Sequence, residues 1–107
     1  MIDTIREREA FIRLRREGSR HRIEPLWCSY VPDSHLTPPK VAFAIGRSVG
    51  SAVKRNRVRR RIRAILSDSE VPPGLLLIGA TPAAVELTFD ELRTTVASLL
   101  VRLTPPT

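Results

Sequence analysis

The chain contains 107 residues, 42% of them hydrophobic and 27% charged, and carries a formal net charge of +7 at pH 7. These values predict one globular domain, residues 1–107, with a modest core, and the sequence has no run of 18 apolar residues for a membrane span. A single cysteine excludes an internal disulfide, and because no apolar signal segment opens the chain, we expect a cytoplasmic protein.

The positive charge is concentrated in the first 66 residues. They hold 16 of the 18 lysines and arginines and only 6 of the 11 acidic residues. Residues 67–107 hold 2 basic and 5 acidic residues and are slightly negative. This asymmetry predicts one portion that faces a polyanionic partner and a remainder that mainly packs.

The first predicted element is a helix. Thr4 to Glu7 has the Thr-x-x-Glu pattern of a capping box and Gly18 is a typical helix end, so the helix is predicted between them. Phe11 and Leu14 share one of its faces. Two interpretations of Phe11 are open: a core residue, or an exposed ring that stacks on a ligand.

A strand is predicted over residues 26–31, which are rich in aromatic and apolar side chains. The Pro-rich loop over 32–39 is predicted to be a hairpin connection. Alternation assigns the strand side chains to two faces: Leu26, Cys28 and Tyr30 on one, Trp27, Ser29 and Val31 on the other. Trp27 is expected to be a core residue.

The next strand is predicted over residues 40–47, with one bulky and one nearly bare face. The bulky face consists of Val41, Phe43 and Ile45, and the bare face of Ala42, Ala44 and Gly46. A bare face is consistent with a closely packed helix, or with a floor on which an extended strand of RNA lies.

The densest basic segment follows a turn at Gly50. With Ser51 as N-cap and no Gly or Pro before Pro72, residues 51–67 are predicted to form a helix. Its apolar stripe consists of Val58, Ile62, Ile65 and Leu66. Seven basic side chains and no acidic one lie between positions 54 and 63: Lys54, Arg55, Arg57, Arg59, Arg60, Arg61 and Arg63.

Two interpretations of this charge run are open. The ordinary one is a solvated helix face, and the scarcity of lysine, which occurs only at Lys40 and Lys54, indicates that codon bias contributes to the arginine content. A solvated face usually mixes both signs of charge, however, and this one does not. The pattern therefore favours a polyanion such as nucleic acid.

Two further elements are predicted after Pro72. Residues 75–78 form a short, wholly apolar run that is typical of a buried strand. Thr88 to Glu91 is a second capping box, and it opens a helix with an apolar stripe: Phe89, Leu92, Val96, Leu99, Leu100 and Leu103. Pro105 and Pro106 are expected to end the fold. Together the elements predict an α+β sandwich with helices against a sheet of about four strands.

A specific motif spans the second strand and the arginine-rich helix. Alternation of Val41, Phe43 and Ile45 is followed by Val49-Gly50 and then by Arg55-Asn56-Arg57. In this order the motif resembles the signature of the bacterial ribonuclease P protein component, and the similarity extends more weakly over almost the whole chain. The resemblance implies that family's α/β sandwich, with a left-handed βαβ crossover around the arginine-rich helix, against the usual right-handed preference.

The resemblance also implies two RNA-binding surfaces. A basic face would dock on the catalytic RNA of ribonuclease P through Arg47, Lys54, Arg55, Asn56, Arg57, Arg59, Arg60 and Arg63. A cleft between the first helix and the sheet would hold the 5′ leader of precursor tRNA, lined by Phe11, Arg15, Tyr30 and Ala44. Five residues depart from the family's pattern and predict altered or weaker contacts: Arg15 stands for an aromatic, Ser48 for a lysine, Ala44 for a polar residue, and Gly74 and Ala80 for an acid and an arginine.

The sequence contains no recognisable catalytic arrangement. It shows no nucleophile with a base and no paired carboxylates, and His21, His35 and Cys28 lack the spacing of a zinc site. In the family the RNA subunit is the catalyst and uses metal ions. The resemblance therefore implies a holoenzyme component with Mg²⁺ bound through the RNA, no cofactor held by the protein alone, and no membrane or obligate protein partner.

Two other classes remain open. A ribosomal or general RNA-binding protein of similar topology would carry the basic helix, but Phe11 and Tyr30 would be buried away from any groove. A DNA-binding helix-turn-helix protein would need a second helix immediately before the arginine-rich helix, where the sequence predicts a strand.

Overall fold

The sheet has five strands, and its central strand is the most apolar one. The computed structural model describes residues 1–103. The strands are β1 (Asp3–Thr4), β2 (Ser19–Ile23), β3 (Leu26–Pro32), β4 (Lys40–Ala44) and β5 (Gly74–Ala80), arranged in the order β1-β4-β5-β3-β2. β5 pairs parallel with β4 and antiparallel with β3. Its apolar run is explained by this central position, because helices cover both of its faces.

Three α-helices pack on the sheet: α1 (Arg8–Glu17), α2 (Ala52–Ser67) and α3 (Phe89–Leu103). α2 and α3 lie together on one face and form the larger core with Leu26, Cys28 and Tyr30 of β3. The short α1 packs alone on the other face, where Leu14 contacts the core around Val31. The fold is therefore the expected α+β sandwich, with one face of the sheet buried and the other only partly covered.

Two predicted helix caps are confirmed. The hydroxyl of Ser51 accepts a hydrogen bond from the backbone N–H of Lys54 at 3.3 Å and opens α2. At α3 the bonds are reciprocal: the N–H of Thr88 donates to Oε1 of Glu91 at 2.8 Å, and the N–H of Glu91 donates to Oγ1 of Thr88 at 3.1 Å. Local sequence therefore specifies where these two helices begin.

The predicted start of the first helix is wrong. Thr4 lies in β1 and pairs with Val41, and the backbone N–H of Ile5 donates to the carbonyl of Val41 at 3.0 Å. Glu7 occupies the N-cap position of α1, but its side chain makes no cap hydrogen bond and instead accepts a bond from the ammonium of Lys40 at 3.0 Å. The sheet edge thus uses the backbone groups that a longer helix would need. The predicted end at Gly18 is confirmed.

The loop over residues 32–39 is not the hairpin that we predicted. It connects β3 and β4, which lie on opposite sides of β5 and do not pair with each other. The hairpin is formed by β2 and β3 instead.

β4 is shorter than predicted and ends at Ala44; Arg47–Val49 forms a 3-10 turn. The units β4, α2 and β5 form a βαβ crossover with parallel strands, whose left-handedness stays a prediction.

The apolar stripe of α3 is confirmed in its centre and wrong at its first residue. Leu92, Val96, Leu99 and Leu103 are buried, whereas Phe89 is 38% exposed at the helix start. Pro105 and Pro106 lie outside the described residues. Within residues 1–103, no helix combines the length and the apolar character that a bilayer-spanning segment requires.

Candidate nucleic-acid interface

α2 separates an apolar side from a cationic side. Its stripe of Val58, Ile62, Ile65 and Leu66 is buried, as predicted. Burial of each such side chain is worth about 1.5–3 kcal/mol, whereas each like-charge pair at helical spacing costs only about 0.2–0.5 kcal/mol. Packing therefore holds the arginines together in spite of their mutual repulsion.

The cations of α2 have no carboxylate partners among residues 1–103. Other basic side chains do: Arg13 lies 2.7 Å from Asp33, and Lys40 lies 3.0 Å from Glu7. The described part of the chain thus neutralises several of its cations but none on α2. Uncompensated guanidinium groups are suited to phosphate oxygens, which they bind with charge-assisted hydrogen bonds.

Four of the predicted RNA-binding side chains are simply exposed: Arg47, Lys54, Arg57 and Arg60. Two others bond to each other, since Nη1 of Arg59 donates to Oδ1 of Asn56 at 2.6 Å. Asn56 therefore bonds locally, and its contact fixes the position of a neighbouring guanidinium.

The remaining arginines of α2 are partly held by the fold. Arg63 donates to Oγ1 of Thr4 at 3.4 Å and lies 5.3 Å from the ring centroid of Phe43. Arg61 donates to the carbonyl of Leu87 at 3.4 Å, which directs it toward the protein. Arg55 is half-buried, and its Nε has no hydrogen-bond acceptor within the described residues. A hydrogen-bond acceptor on a bound partner would satisfy this donor.

A groove lies between α1 and the strands β3 and β5. Its volume is about 310 Å³, and it is lined by Phe11, Leu14, Arg15, Trp27, Ser29 and Leu77, among others. Phe11 is 41% exposed, so of its two interpretations the structure favours the exposed ring. Arg15, one helical turn later, is also exposed. The two predicted residues of α1 thus lie side by side along this groove, which we call the α1 groove.

Close contacts fix α1 against the sheet. A Cβ at Gly18 would come within 2.2 Å of the hydroxyl of Ser29, so only glycine allows the helix end to lie this close. On the other side of the helix, Arg13 bonds to Asp33 at 2.7 Å. The Arg13 guanidinium, followed by the backbone N–H of His35, holds the pKa of the Asp33 carboxyl below its usual value. These contacts set the width of the α1 groove.

The predicted roles of Tyr30 and Trp27 are both wrong, and they are reversed. Tyr30 is 5% exposed on the face covered by α2 and α3, and its hydroxyl donates to the carbonyl of Pro73 at 2.6 Å. Burial raises the pKa of this phenol. Trp27 is only half-buried and lines the α1 groove. Alternation separated the two rings correctly but did not indicate which face is covered by two helices.

Ala44 lies on the same sheet face as the groove and is exposed, although it does not line the 310 Å³ cavity. It pairs with Gly79, and Gly79 pairs with Trp27, so the three positions form one rung across the sheet. A glycine inside a strand signals close approach of another group, and Gly79 is the sequence feature that could have indicated the position of Trp27. The bare floor thus extends from Ala44 of β4 to Gly79 of β5, where it meets the ring of Trp27 from β3.

The arrangement suits single-stranded nucleic acid on one side and phosphates on the other. A flat floor with an exposed ring and an arginine provides stacking surfaces, and α2 provides charge. No α-helix lies immediately before α2, because β4 and a three-residue 3-10 turn precede it, so the helix-turn-helix interpretation is wrong. Within residues 1–103, no three His, Cys, Asp or Glu side chains are grouped so that they could hold a metal ion.

Comparison with known proteins gives consistent results. The family model described as Ribonuclease P matches residues 2–104. The chain is 34% identical over 102 residues to a ribonuclease P protein component from Beutenbergia cavernae, covering 92% of this chain and 86% of that protein. It is 41% identical over 83 residues to the protein of that name from Thermus scotoductus, where it covers 78% of this chain but spans only about half (49%) of the relative.

Solved structures show the same fold. The RNase P protein from Thermotoga maritima aligns with a TM-score of 0.83 at 20% identity, covering 96% of this chain and 99% of that one. The Staphylococcus aureus RNase P protein aligns with a TM-score of 0.79 at 16% identity, covering 94% of this chain and 93% of that one.

Proposed function

This chain belongs to the ribonuclease P protein family, and on that premise we propose that it is the RNA-binding protein subunit of a bacterial ribonuclease P. In this role it binds the catalytic RNA and the 5′ leader of precursor tRNA, and it promotes endonucleolytic removal of the leader. The products are tRNAs with mature 5′ ends. We place the holoenzyme in the cytoplasm.

The observation that carries the proposal is the uncompensated charge of α2. Seven cations lie on one helix, and none pairs with a carboxylate of residues 1–103. A folded RNA offers a dense array of phosphates at which these cations release bound counterions. Arg47, Arg57 and Arg60 are free to contact phosphates directly, and an RNA oxygen would supply the acceptor that Nε of Arg55 lacks.

The α1 groove is the proposed leader site. Phe11 offers an exposed ring for one base, and Arg15 offers a planar cation that can stack on a base or pair with a phosphate. The floor contributed by Ala44 has no polar side chain, so it can pack against RNA but cannot form a side-chain hydrogen bond with it. Tyr30 has no place in this site, because it is buried on the other face of the sheet.

We propose that the RNA subunit, and not the protein, carries out the hydrolysis of the phosphodiester bond. The described residues contain no grouped set of metal-ligating side chains, so they do not fit a metal site of their own. Mg²⁺ is proposed to be bound through the RNA and to supply the chemistry of phosphodiester hydrolysis there. The protein's part is to bind and position the two RNAs.

Reconstitution tests the proposal. The protein is added to a bacterial ribonuclease P RNA at low magnesium with a precursor tRNA, and 5′ processing is followed. We expect the protein to restore processing and Arg57→Ala to require more protein for the same rate. Arg93→Ala is the matched control, since it removes an arginine from α3, whose side chain pairs with Asp90 away from α2. Failure of the native protein to stimulate cleavage at any concentration would reject the proposed function.

A further inference from the structure

Trp27 stands between two concave regions of the surface. On one side is the α1 groove, of about 310 Å³. On the other is a second cavity of about 410 Å³, lined by Arg20, His21, Arg22 and Trp27 on the edge strand β2. Trp27 and Arg20 belong to both linings, so a chain that follows the sheet from one cavity to the other passes over the indole and the guanidinium beside it.

The backbone is shaped to let the indole lie flat on the sheet. Gly79 of β5 pairs with Trp27, and a Cβ at Gly79 would come within 2.0 Å of Cε2 of the ring. Any larger residue would therefore push the ring off the sheet. The chain thus keeps a large, half-buried aromatic ring in the lining of the α1 groove.

The edge strand places positive charge around this ring. Arg20 and Arg22 of β2 alternate onto the face that carries Trp27, since Arg22 pairs with Trp27 and Arg20 pairs with Ser29. The guanidinium of Arg20 lies over the indole, 4.7 Å from its centroid. Arg22 is already paired with Glu24 at 3.0 Å, whereas Arg20 has no carboxylate partner among residues 1–103.

We propose that Trp27 is a base-stacking platform that takes single-stranded RNA out of the α1 groove and onto β2. The inference rests on the proposed function, because the strand concerned is the leader of precursor tRNA. In the free protein Arg20 covers the ring. An exposed cation–π contact is weaker than the stacking of a base on an aromatic ring, so a nucleotide displaces Arg20, and the freed guanidinium then meets the adjacent phosphate.

This platform supplies the second ring that α1 lacks. Phe11 is the only aromatic residue of α1, and Arg15 occupies the position one turn later. Trp27 contributes its ring from the floor of the groove instead. The leader is consequently expected to be bound over a longer path, from Phe11 across Trp27 to Arg20, and affinity should depend on leader length.

Intrinsic fluorescence gives a direct measurement, since Trp27 is the only tryptophan of the chain. Holoenzyme assembled with a bacterial ribonuclease P RNA is titrated with precursor tRNAs whose leaders increase in length one nucleotide at a time, and with mature tRNA. We expect quenching to appear only above a certain leader length and to be absent with mature tRNA. Equal fluorescence with the longest leader and with mature tRNA would overturn the inference.

Substitutions test the same point by affinity. Trp27→Leu keeps an apolar side chain but removes the ring, and it should weaken binding of the long-leader substrate about 5- to 150-fold, the value of one stacked base. Binding of mature tRNA should not change, and Trp27→Phe should recover part of the loss. Gly79→Ala, which displaces the indole without removing it, should mimic Trp27→Leu.

The matched control is another exposed ring with an arginine over it, on α3 and outside the α1 groove. Phe89 of α3 is an exposed ring with Arg93 over it at 5.3 Å from the centroid, and Phe89→Ala should leave leader binding unchanged.

Thermal unfolding shows which variants remain folded, and if Trp27→Leu does not fold, the fluorescence titration of the native protein decides. Unchanged affinity in folded Trp27→Leu, while cleavage is still stimulated and Phe11→Ala still weakens leader binding, would overturn this inference and leave the proposed function intact. Failure of the native protein to stimulate cleavage would instead reject both.

Discussion

The two proposed RNA-binding surfaces, one on each side of the sheet, have different physical properties. On α2, cations project from a helix whose buried stripe fixes them, and they need only charge and exposure to act. On the α1 side, the surface is a groove whose width depends on the contacts of Gly18 with Ser29 and of Arg13 with Asp33. Long-range electrostatic binding tolerates small displacements, whereas stacking requires rings at fixed positions. The first surface should therefore determine assembly, and the second should determine which RNA strand is held.

The largest expected difference between the surfaces is in their salt dependence. If α2 binds about five phosphates, the slope of log affinity for the catalytic RNA against log salt should be roughly −4 to −5. A fourfold rise in salt would then weaken the complex about 250- to 1,000-fold. Filter binding or anisotropy over a salt series measures the slope.

Single substitutions refine the salt experiment. Arg55→Ala and Arg57→Ala should each flatten the slope by about one unit, whereas Phe11→Ala should leave it unchanged. A slope near zero for the native protein would contradict electrostatic docking through α2.

The next largest effect concerns substrate choice. Phe11→Ala removes an exposed ring and should weaken holoenzyme binding of precursor tRNA by about 1–3 kcal/mol, while mature tRNA, which has no leader, should bind nearly as before. Arg57→Ala should weaken holoenzyme assembly and so lower both affinities at limiting protein. Equal losses for the two tRNAs in a folded Phe11→Ala variant would mean that the α1 groove is not the leader site.

The two surfaces also differ in how far the sequence predicts them. The charge of α2, its N-cap and its buried stripe are all local properties of residues 51–67, and each was predictable. The α1 groove depends on which face of the sheet each helix covers, and alternation within a strand does not contain that information. This is why Tyr30 and Trp27 were assigned to the wrong faces although they were correctly separated.

The missed strands have a similar explanation. β1 has only two residues, Asp3 and Thr4, and its pairing is with β4, far along the chain. β2 is mostly polar and lies at the opposite edge of the sheet, where three of its five residues are exposed and the other two are half-buried. Edge strands need little apolar surface, so their sequences carry little strand pattern. The central β5 is buried on both faces and was therefore recognised.

A third prediction concerns Tyr30, which was predicted to line the leader-binding cleft but is buried in the core. Tyr30→Phe removes the hydroxyl that donates to the carbonyl of Pro73 at 2.6 Å, so the free energy of unfolding should fall by about 0.5–1.5 kcal/mol. Binding of precursor tRNA should not change. Urea unfolding and precursor tRNA binding, measured on the same sample, test this prediction. A selective loss of precursor binding without a loss of stability would mean that Tyr30 contacts the leader.

The smallest expected effect is that of the contact that holds α1 in place. Asp33 has its pKa lowered in the folded protein, chiefly by Arg13, so its carboxylate contributes stability above the unfolded pKa of about 3.9. That contribution is lost as the pH falls through the lower, folded pKa. Asp33→Asn should therefore be slightly less stable than the native protein at neutral pH, and the difference should vanish in acid.

A double-mutant cycle tests whether Arg13 is the group that stabilises the Asp33 carboxylate. In an Arg13→Gln background the same Asp33→Asn change should have little effect on urea unfolding, because the carboxylate has already lost the guanidinium.

At neutral pH, Asp33→Asn should weaken precursor tRNA binding less than Phe11→Ala does, since it loosens α1 without removing a contact with RNA. The affinity for the catalytic RNA, which depends on α2, should stay constant. A stability difference that grew as the pH fell would contradict the assigned ion pair, and a loss of affinity for the catalytic RNA would mean that the two surfaces are not independent.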